Sequence, residues 1–460
     1  MTSDVPRTRR DFVKAAAAMA AATSSVQTVS AAAGSRVAYG VIGSGQRGCY
    51  LLRHMAALEN SRCVAVCDSD ERSLKQGIAA AGTNPQGHKN YRVLLDRNDI
   101  EAVVIATPLY AHFPAVRDAL LAGKHVFCET TLVFKPEEVH QLRVLAADRP
   151  NQVFQVGFQR RYSEFYQTAK LMVAKGLIGN VTHVIAQWHR NPGWLVPPDL
   201  DRDKQRYWFL YREYSGGLVS ELASHQIDVA CWMFGSQPEY VVGVGGQEFL
   251  RDGRDTYDNI QLIFRYPRGQ KLICTAISTN QQLPLFGGTR AEVGERIMGT
   301  GGTIEITVGT NEEPAIALWY YEPRPAQITK AGKAQEDTMI GGATLGSTGY
   351  GRKGFPLLLK YDQFSSDESF VGKEMKYARR WLYSKGIMLP EEGRNTVNVQ
   401  MESFFDCCRT AGRPKAGVEV GLTNSTAVIL SNLAMEEGRR VYFDEFEKMG
   451  RDPADKRRTS

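Results

Sequence analysis

Arg36-Val37-Ala38-Tyr39-Gly40-Val41-Ile42-Gly43-Ser44-Gly45-Gln46-Arg47-Gly48 is the stretch on which the fold turns. Its apolar run Val37–Ile42 predicts a buried strand, and three glycines spaced G-x-G-x-x-G follow at once. Beyond them Leu51, Leu52, Met55 and Leu58 recur at helical spacing. In that order the elements make a dinucleotide site. Gly43 permits the tight turn, Gly45 lets the backbone approach a pyrophosphate, and Gly48 lets the helix pack close to the strand. The first N–H groups of the helix and its positive dipole end then face the phosphates, with Gln46 and Arg47 completing the cofactor-binding positions of the loop.

In a chain with 43 glycines the spacing alone is weak. The support comes from Cys63-Val64-Ala65-Val66-Cys67, a second apolar run that ends in Asp68, about 20 residues past Gly48. A carboxylate there accepts hydrogen bonds from the ribose hydroxyls and repels a 2′-phosphate, which favours NAD. The competing readings are that Asp68 only caps the next helix, or that Arg72 binds the phosphate of NADP.

Before this core, Arg9-Arg10-Asp11-Phe12-Val13-Lys14 leads into the Ala-rich run Ala15–Ala22 and the small residues Ala31-Ala32-Ala33. The pattern predicts a twin-arginine export signal over 1–33 and a periplasmic or otherwise exported protein. The run is far shorter than the roughly 20 residues of a membrane span. Some 425 residues remain, enough for two domains. The formal charge of +6 draws partly on the leader and on a basic tail, 446–460, and so points to no nucleic-acid partner. Of eight cysteines, Cys63, Cys67 and Cys128 fall in apolar strand runs, and no Cys/His spacing suits a metal. Buried free thiols are expected, with no metal site.

After Asp68 strands and helices alternate. Ala102–Ala106 ends in Thr107-Pro108, His125–Cys128 ends in Glu129-Thr130-Thr131, and Val153–Val156 follows a helix from Pro136 to Ala147. Alternation of this kind predicts a parallel doubly wound sheet over 34–150, an N-terminal Rossmann domain, whose strand ends bring Thr107, Pro108, Glu129 and Thr130 to the cofactor.

By its glycine loop, Ala106-Thr107-Pro108, Gly123-Lys124-His125-Val126, Cys128-Glu129, Gly157-Phe158-Gln159-Arg160-Arg161 and the segment Gly216–Asp228, the chain resembles the Gfo/Idh/MocA family of sugar and polyol oxidoreductases. The resemblance implies an NAD(P)-dependent enzyme that acts on a carbohydrate hydroxyl, and a homo-oligomer, dimer or tetramer, joined through its C-terminal sheet. It also implies substrate contacts at Arg160, Arg161 and Asp228. One departure stands out. The family usually reads Glu-Lys-Pro where this chain has Glu129-Thr130-Thr131, so the lysine that helps place substrate against the nicotinamide is missing.

From 151 to 445 the pattern changes to an α+β domain with a large, mainly antiparallel open sheet, its strands expected at Tyr240–Val244, Asp258–Tyr266, Gln270–Ser278, Gly302–Val308 and Ala315–Tyr321. Amphipathic helices at Glu374–Leu382, Val397–Thr410 and Asn424–Gly438 would brace the sheet, and a long polar loop covers 330–360. Strand Val181–Trp188 leads into His189 and Trp194, with Tyr211 and Arg212 further on. Aromatic rings beside hydrogen-bonding groups suit sugar recognition, and an ordinary surface loop is the plain alternative.

The chemistry is expected in Ser215–Asp228. Read as one helix, Glu221 and His225 are four residues apart and share a face, so that a carboxylate would orient an imidazole and raise its pKa. The resemblance carries to the same pair, with Glu221 where relatives usually have Asp. Three functions fit: an exported NAD-linked sugar oxidoreductase with tightly held cofactor, an NAD-dependent glycosidase working by transient oxidation, and a non-catalytic sugar-binding protein.

Overall fold

A computed structural model describes residues 36–189, 204–279, 293–307 and 394–450, together with strand segments 283–284, 290–291, 316–321, 338–340, 343–345 and 356–358. The expected leader, Trp194, most of the 330–360 loop, the helix at 374–382 and the tail from 451 lie outside the described residues.

Six parallel strands form the first sheet: β1 (Val37–Ile42), β2 (Ser61–Cys67), β3 (Gln86–His88), β4 (Ala102–Ile105), β5 (His125–Cys128) and β6 (Phe154–Val156). Their spatial order is β3-β2-β1-β4-β5-β6, so the winding reverses between β1 and β4 and leaves a crevice at their carboxyl ends. The central strands are apolar on both faces because helices cover both; Ala102–Ile105 is buried throughout. β3 is the strand that apolar patterning misses, since Gln-Gly-His on an exposed edge carries no hydrophobic signal. Helix Glu71–Ala81 starts where the Asp70 side chain accepts the Ser73 N–H at 2.7 Å, and it stops at Gly82 in the left-handed conformation, φ 68°.

The second sheet has nine strands, in the order Pro356–Leu358, Ile316–Tyr321, Gly302–Thr307, Val293–Gly299, Val181–His189, Lys271–Ile277, Asn259–Arg265, Tyr240–Gly246 and Val441–Tyr442. Lys271–Ile277 runs parallel to Val181–His189, and the other pairings are antiparallel. Alternation shows which face is covered. In Asn259–Arg265, Ile260, Leu262 and Phe264 are buried while Gln261 and Ile263 are exposed. Helices Ser224–Phe234 and Val418–Glu437 pack on the covered face.

Helix Thr396–Thr410 departs from the expected domain division. It returns to the cofactor sheet, where Val397, Met401, Phe404 and Phe405 join Val37, Tyr39, Leu51 and Leu52 in one core. Tyr39 and Phe405 lie 4.8 Å apart by ring centroid, and the Asn60 side-chain amide donates to Asp406 at 2.9 Å. Each such buried side chain stabilises the fold by about 1.5–3 kcal/mol, so the division at 150 is crossed by a substantial core. All eight cysteines are free, five of them buried. Among the described residues no helix is long and apolar enough to cross a membrane.

Candidate active site

The glycine loop distinguishes packing from cradle. Gly43 has φ +91°, and a Cβ on it would lie 2.6 Å from the carbonyl oxygen of Ala106. A Cβ on Gly48 would lie 2.0 Å from the carbonyl oxygen of Gly43, so helix Gln46–Met55 sits directly on the turn. Gly45 differs. Nothing of the protein lies within 4 Å of where its Cβ would be, and it caps the helix without any side-chain hydrogen bond. The open space and the uncapped N–H groups fit a pyrophosphate. At the end of β4, the hydroxyl of Thr107 is buried with no partner, a second polar atom the protein leaves for a ligand.

Asp68 does not cap the following helix, since Asp70 does so. Its Oδ2 accepts from the Ser44 N–H at 2.8 Å and its Oδ1 from the Asp70 N–H at 2.9 Å, which sets the carboxylate flush with the loop where the adenosine ribose of a dinucleotide belongs. Arg47 turns back from the loop, its Nε donating to Glu129 at 2.7 Å, so the loop and the end of β5 are joined by an ion pair. Gly157 leaves room for that carboxylate, since a Cβ there would lie 2.4 Å from the second Glu129 oxygen.

The next peptide, Thr130–Thr131, is cis. The Thr131 hydroxyl donates to the Ser220 carbonyl at 2.9 Å, and the Thr130 hydroxyl lies 3.4 Å from His225 Nε2. The cofactor sheet and His225 therefore meet at this dipeptide. The His225 ring is 8 % exposed, walled by Trp188 at 5.6 Å and Phe158 at 6.0 Å between centroids. Burial pushes its pKa well below the usual value, and the positive charges of Arg160 and Arg47 add to the shift. His225 is neutral at pH 7, able to accept a proton.

The expected Glu221–His225 pair is corrected by the structure. Val219–Ala223 winds as a π-helix before the α-helix begins at Ser224, and the wider turn breaks the four-residue register. The Glu221 carboxyl instead bonds the hydroxyls of Ser215 and Ser220, each at 3.2 Å. Burial raises its pKa to about 7, with the two serine hydroxyls acting in the opposite direction.

The substrate candidates divide. Trp188 lines the His225 pocket, and Arg160 lies over its ring at 5.6 Å while making a buried ion pair with Glu295, which also accepts from Tyr166. Arg161 and Asp228 pair with each other through contacts of 2.7, 2.9 and 3.1 Å, a buried clasp between the turn after β6 and the helix that carries His225. The Nε2 of His189 lies 2.9 Å from the hydroxyl of Thr275 across the strand pair, and burial pushes its pKa down to about 4. Tyr211 is buried, with Lys204 over its ring at 5.2 Å. Arg212 is held by Asp255, Glu436 and the Tyr257 ring, in the lining of a cleft of about 430 Å³ that includes neither His225 nor Thr130. Among the described residues no cluster suits a metal ion.

Sequence reasoning missed Glu295, which stands 135 residues from Arg160 and shows itself only in the fold. It also missed His112, whose Nδ1 lies 2.9 Å from the Thr131 carbonyl oxygen and whose Nε2 lies 3.0 Å from that of Thr107, linking the ends of β4 and β5. Its place at the start of the helix after Thr107-Pro108 was the available signal.

Residues 37–158 match the model of an oxidoreductase family with an NAD-binding Rossmann fold, and residues 166–305 match the GFO/IDH/MocA C-terminal domain. An inositol 2-dehydrogenase of Rubrobacter xylanophilus is 29% identical over 272 residues, 59% of this chain and 71% of that protein. A glycosyl hydrolase family 109 protein of Shewanella sp. (strain ANA-3) is 30% identical over 239 residues, 46% of this chain and 52% of that protein. For two further relatives, oxidoreductases of Bacillus subtilis and Synechocystis sp., the chain spans 57% and 54% of their length. The solved structure of aldose-aldose oxidoreductase from Caulobacter crescentus superposes with a TM-score of 0.64 at 18% identity, over 89% of this chain and 100% of that one, which establishes the shared fold.

Proposed function

The chain belongs to the Gfo/Idh/MocA oxidoreductase family, and on that premise we propose that it oxidises a hydroxyl-bearing carbon of a sugar, glycoside or polyol, using NAD. One observation carries the reading. A buried, neutral histidine stands where the substrate domain touches the carboxyl end of the cofactor sheet. When bound, NAD supplies a hydride acceptor at nicotinamide C4. Gly43, Gly45 and the helix N-terminus would hold its pyrophosphate, and Asp68 its adenosine ribose, which favours NAD over NADP. Glu129 and Thr107 flank the reacting end.

The chain's own part is proton removal in a dry pocket. Trp188 and Phe158 exclude water around His225, and a neutral imidazole takes up the hydroxyl proton as the carbon is oxidised. Arg160, fixed by Glu295, borders the same space and offers donors to a sugar oxygen. Replacing His225 by Asn should lower hydride transfer by about 10²–10⁴-fold while NAD binding is kept. A variant with the wild-type rate would remove His225 from the mechanism.

A second reading has support in the glycosyl hydrolase family 109 relatives. Transient oxidation would acidify the neighbouring C–H, the aglycone would leave by elimination, and water addition and reduction would return the cofactor to its starting state. Product analysis with a glycoside and no added acceptor separates the two. Free sugar and aglycone without net NADH indicate the glycosidase, whereas an accumulated keto sugar indicates the dehydrogenase. The leader adds to the proposal an exported enzyme that keeps its cofactor, and the exposed face of the nine-stranded sheet is the proposed oligomer contact. NAD(H) co-purifying from the periplasm without added cofactor is the expected result; an empty preparation counts against retention.

A further inference from the structure

Among the described residues, the His225 ring lies within hydrogen-bond range of one polar side chain. Its Nε2 is 3.4 Å from the Thr130 hydroxyl, and its Nδ1 is buried without a partner. The carboxylate that helical spacing would have placed beside it is engaged by Ser215 and Ser220.

Exposure sets the order of the two groups. His225 is 8 % exposed, and Thr130 is only half-buried at the carboxyl end of β5. A substrate hydroxyl approaching from the cofactor side meets the threonine oxygen before it meets the imidazole. The backbone at this point is held from two sides. Thr131 is tied to the Ser220 carbonyl by its hydroxyl and to His112 by its carbonyl, so residue 130 keeps a fixed position between sheet and helix. The 3.4 Å contact is at the long end of the hydrogen-bond range, close enough for a proton to pass once the two groups draw together.

We propose, resting on the hydroxyl-oxidising reading above, that Thr130 is a catalytic relay that carries the substrate proton to His225. The Thr130 hydroxyl donates to Nε2, and the single N–H of the neutral ring is on Nδ1. The substrate O–H bond breaks and its proton passes to Thr130 Oγ1 while the threonine's own proton moves to Nε2. The carbon gives its hydride to NAD, and the C–O bond becomes a carbonyl. The imidazole ends as imidazolium and the threonine is restored.

The test uses Thr130→Val and Thr130→Ser in the full chain. Thr130→Val keeps shape but has no hydroxyl; it should lower kcat by about 10²-fold, leave KM for NAD and sugar nearly unchanged, and acquire a solvent deuterium isotope effect. Thr130→Ser should restore most of the rate. Independently of turnover, ¹⁵N spectra of histidine-labelled protein, with His225 assigned by His225→Asn, should show Nε2 as the unprotonated acceptor in the wild type and a shifted signal in Thr130→Val. Wild-type kcat in Thr130→Val, equal loss in both variants, or an unshifted Nε2 signal would each overturn the relay and leave the oxidoreductase reading standing. A shifted signal in a protein that oxidises no sugar or polyol would defeat that reading, and the relay as catalysis with it.

Discussion

The two ends of the cleft are built from different materials. At the pyrophosphate end the working groups are backbone N–H donors around Gly45, with open space where a side chain would be. At the hydride end, on the function proposed above, the working groups are side chains, with His225 set between Trp188 and Phe158 near two arginines and Thr130 beside it. Backbone donors bring no net charge and tolerate solvent, so that end can stay open for a large ligand to enter. An imidazole base must stay neutral and dry, so that end is closed. The difference shows that substitutions at the two ends should fail in different ways, the first through affinity and the second through rate.

The largest expected effect lies within the glycine loop. Gly48→Ala places a Cβ 2.0 Å from a backbone oxygen that cannot yield, so the loop must distort and both thermal stability and NAD binding should be lost. Gly45→Ala meets no protein atom, so Tm should hold while NAD affinity drops by about tenfold or more, roughly 1.4 kcal/mol or above. Thermal melts with calorimetric NAD titrations read both quantities. Equal affinity losses with equal stability in the two variants would end the distinction between packing glycine and cradle glycine.

A buried clasp supports the hydride end. Arg161 and Asp228 have side chains only 11 % and 3 % exposed, and they join the turn after β6 to the helix that carries His225. Removing one partner leaves an uncompensated buried charge, so Arg161→Ala should cost about 3–5 kcal/mol in urea unfolding. Replacing both by apolar residues of similar volume should recover much of it. Sugar KM per folded molecule should hardly change. A stable Arg161→Ala protein with a raised sugar KM would instead return Arg161 to the substrate site.

The contrast also explains what could be read in advance. Gly43, Gly45, Gly48 and Asp68 are legible because each requirement is local: a turn, an open approach, a helix start, a strand end. The alternating strands of the first sheet are legible because both faces are buried, and β3 was lost because its edge position asks for no apolar residue. The hydride end depends on phase and on distant partners. A π-helical turn at Val219–Ala223 removed Glu221 from His225, and the pairing of Arg161 with Asp228 spans 67 residues. The pairing of Thr130 with His225 spans 95 residues. Arg160 was found, but the Glu295 that fixes it comes from a strand 135 residues away.

Glu221 gives the sharpest sign. Its carboxyl sits partly buried against two serine hydroxyls, and its pKa of about 7 stands above the usual 4.5 because burial disfavours the anion. Between these two values the folded protein keeps a proton that the unfolded chain releases. Stability contributed here is present below about pH 4.5, falls as pH rises, and is fully lost above about pH 7. A shift of this size corresponds to on the order of 3 kcal/mol at pH 8. Glu221→Gln, neutral and of the same length, should therefore stabilise the protein at pH 8 and change little at pH 5, with Tm differences of a few degrees. Because Glu221 does not touch His225, kcat at the pH where both proteins are folded should be nearly the same. The opposite outcome is equally informative. A Glu221→Gln protein of unchanged stability at pH 8 but with strongly reduced kcat would mean that the carboxylate reaches the imidazole when substrate is bound. The closed end of the cleft would then have to rearrange on binding, in contrast to the preformed cradle around Gly45.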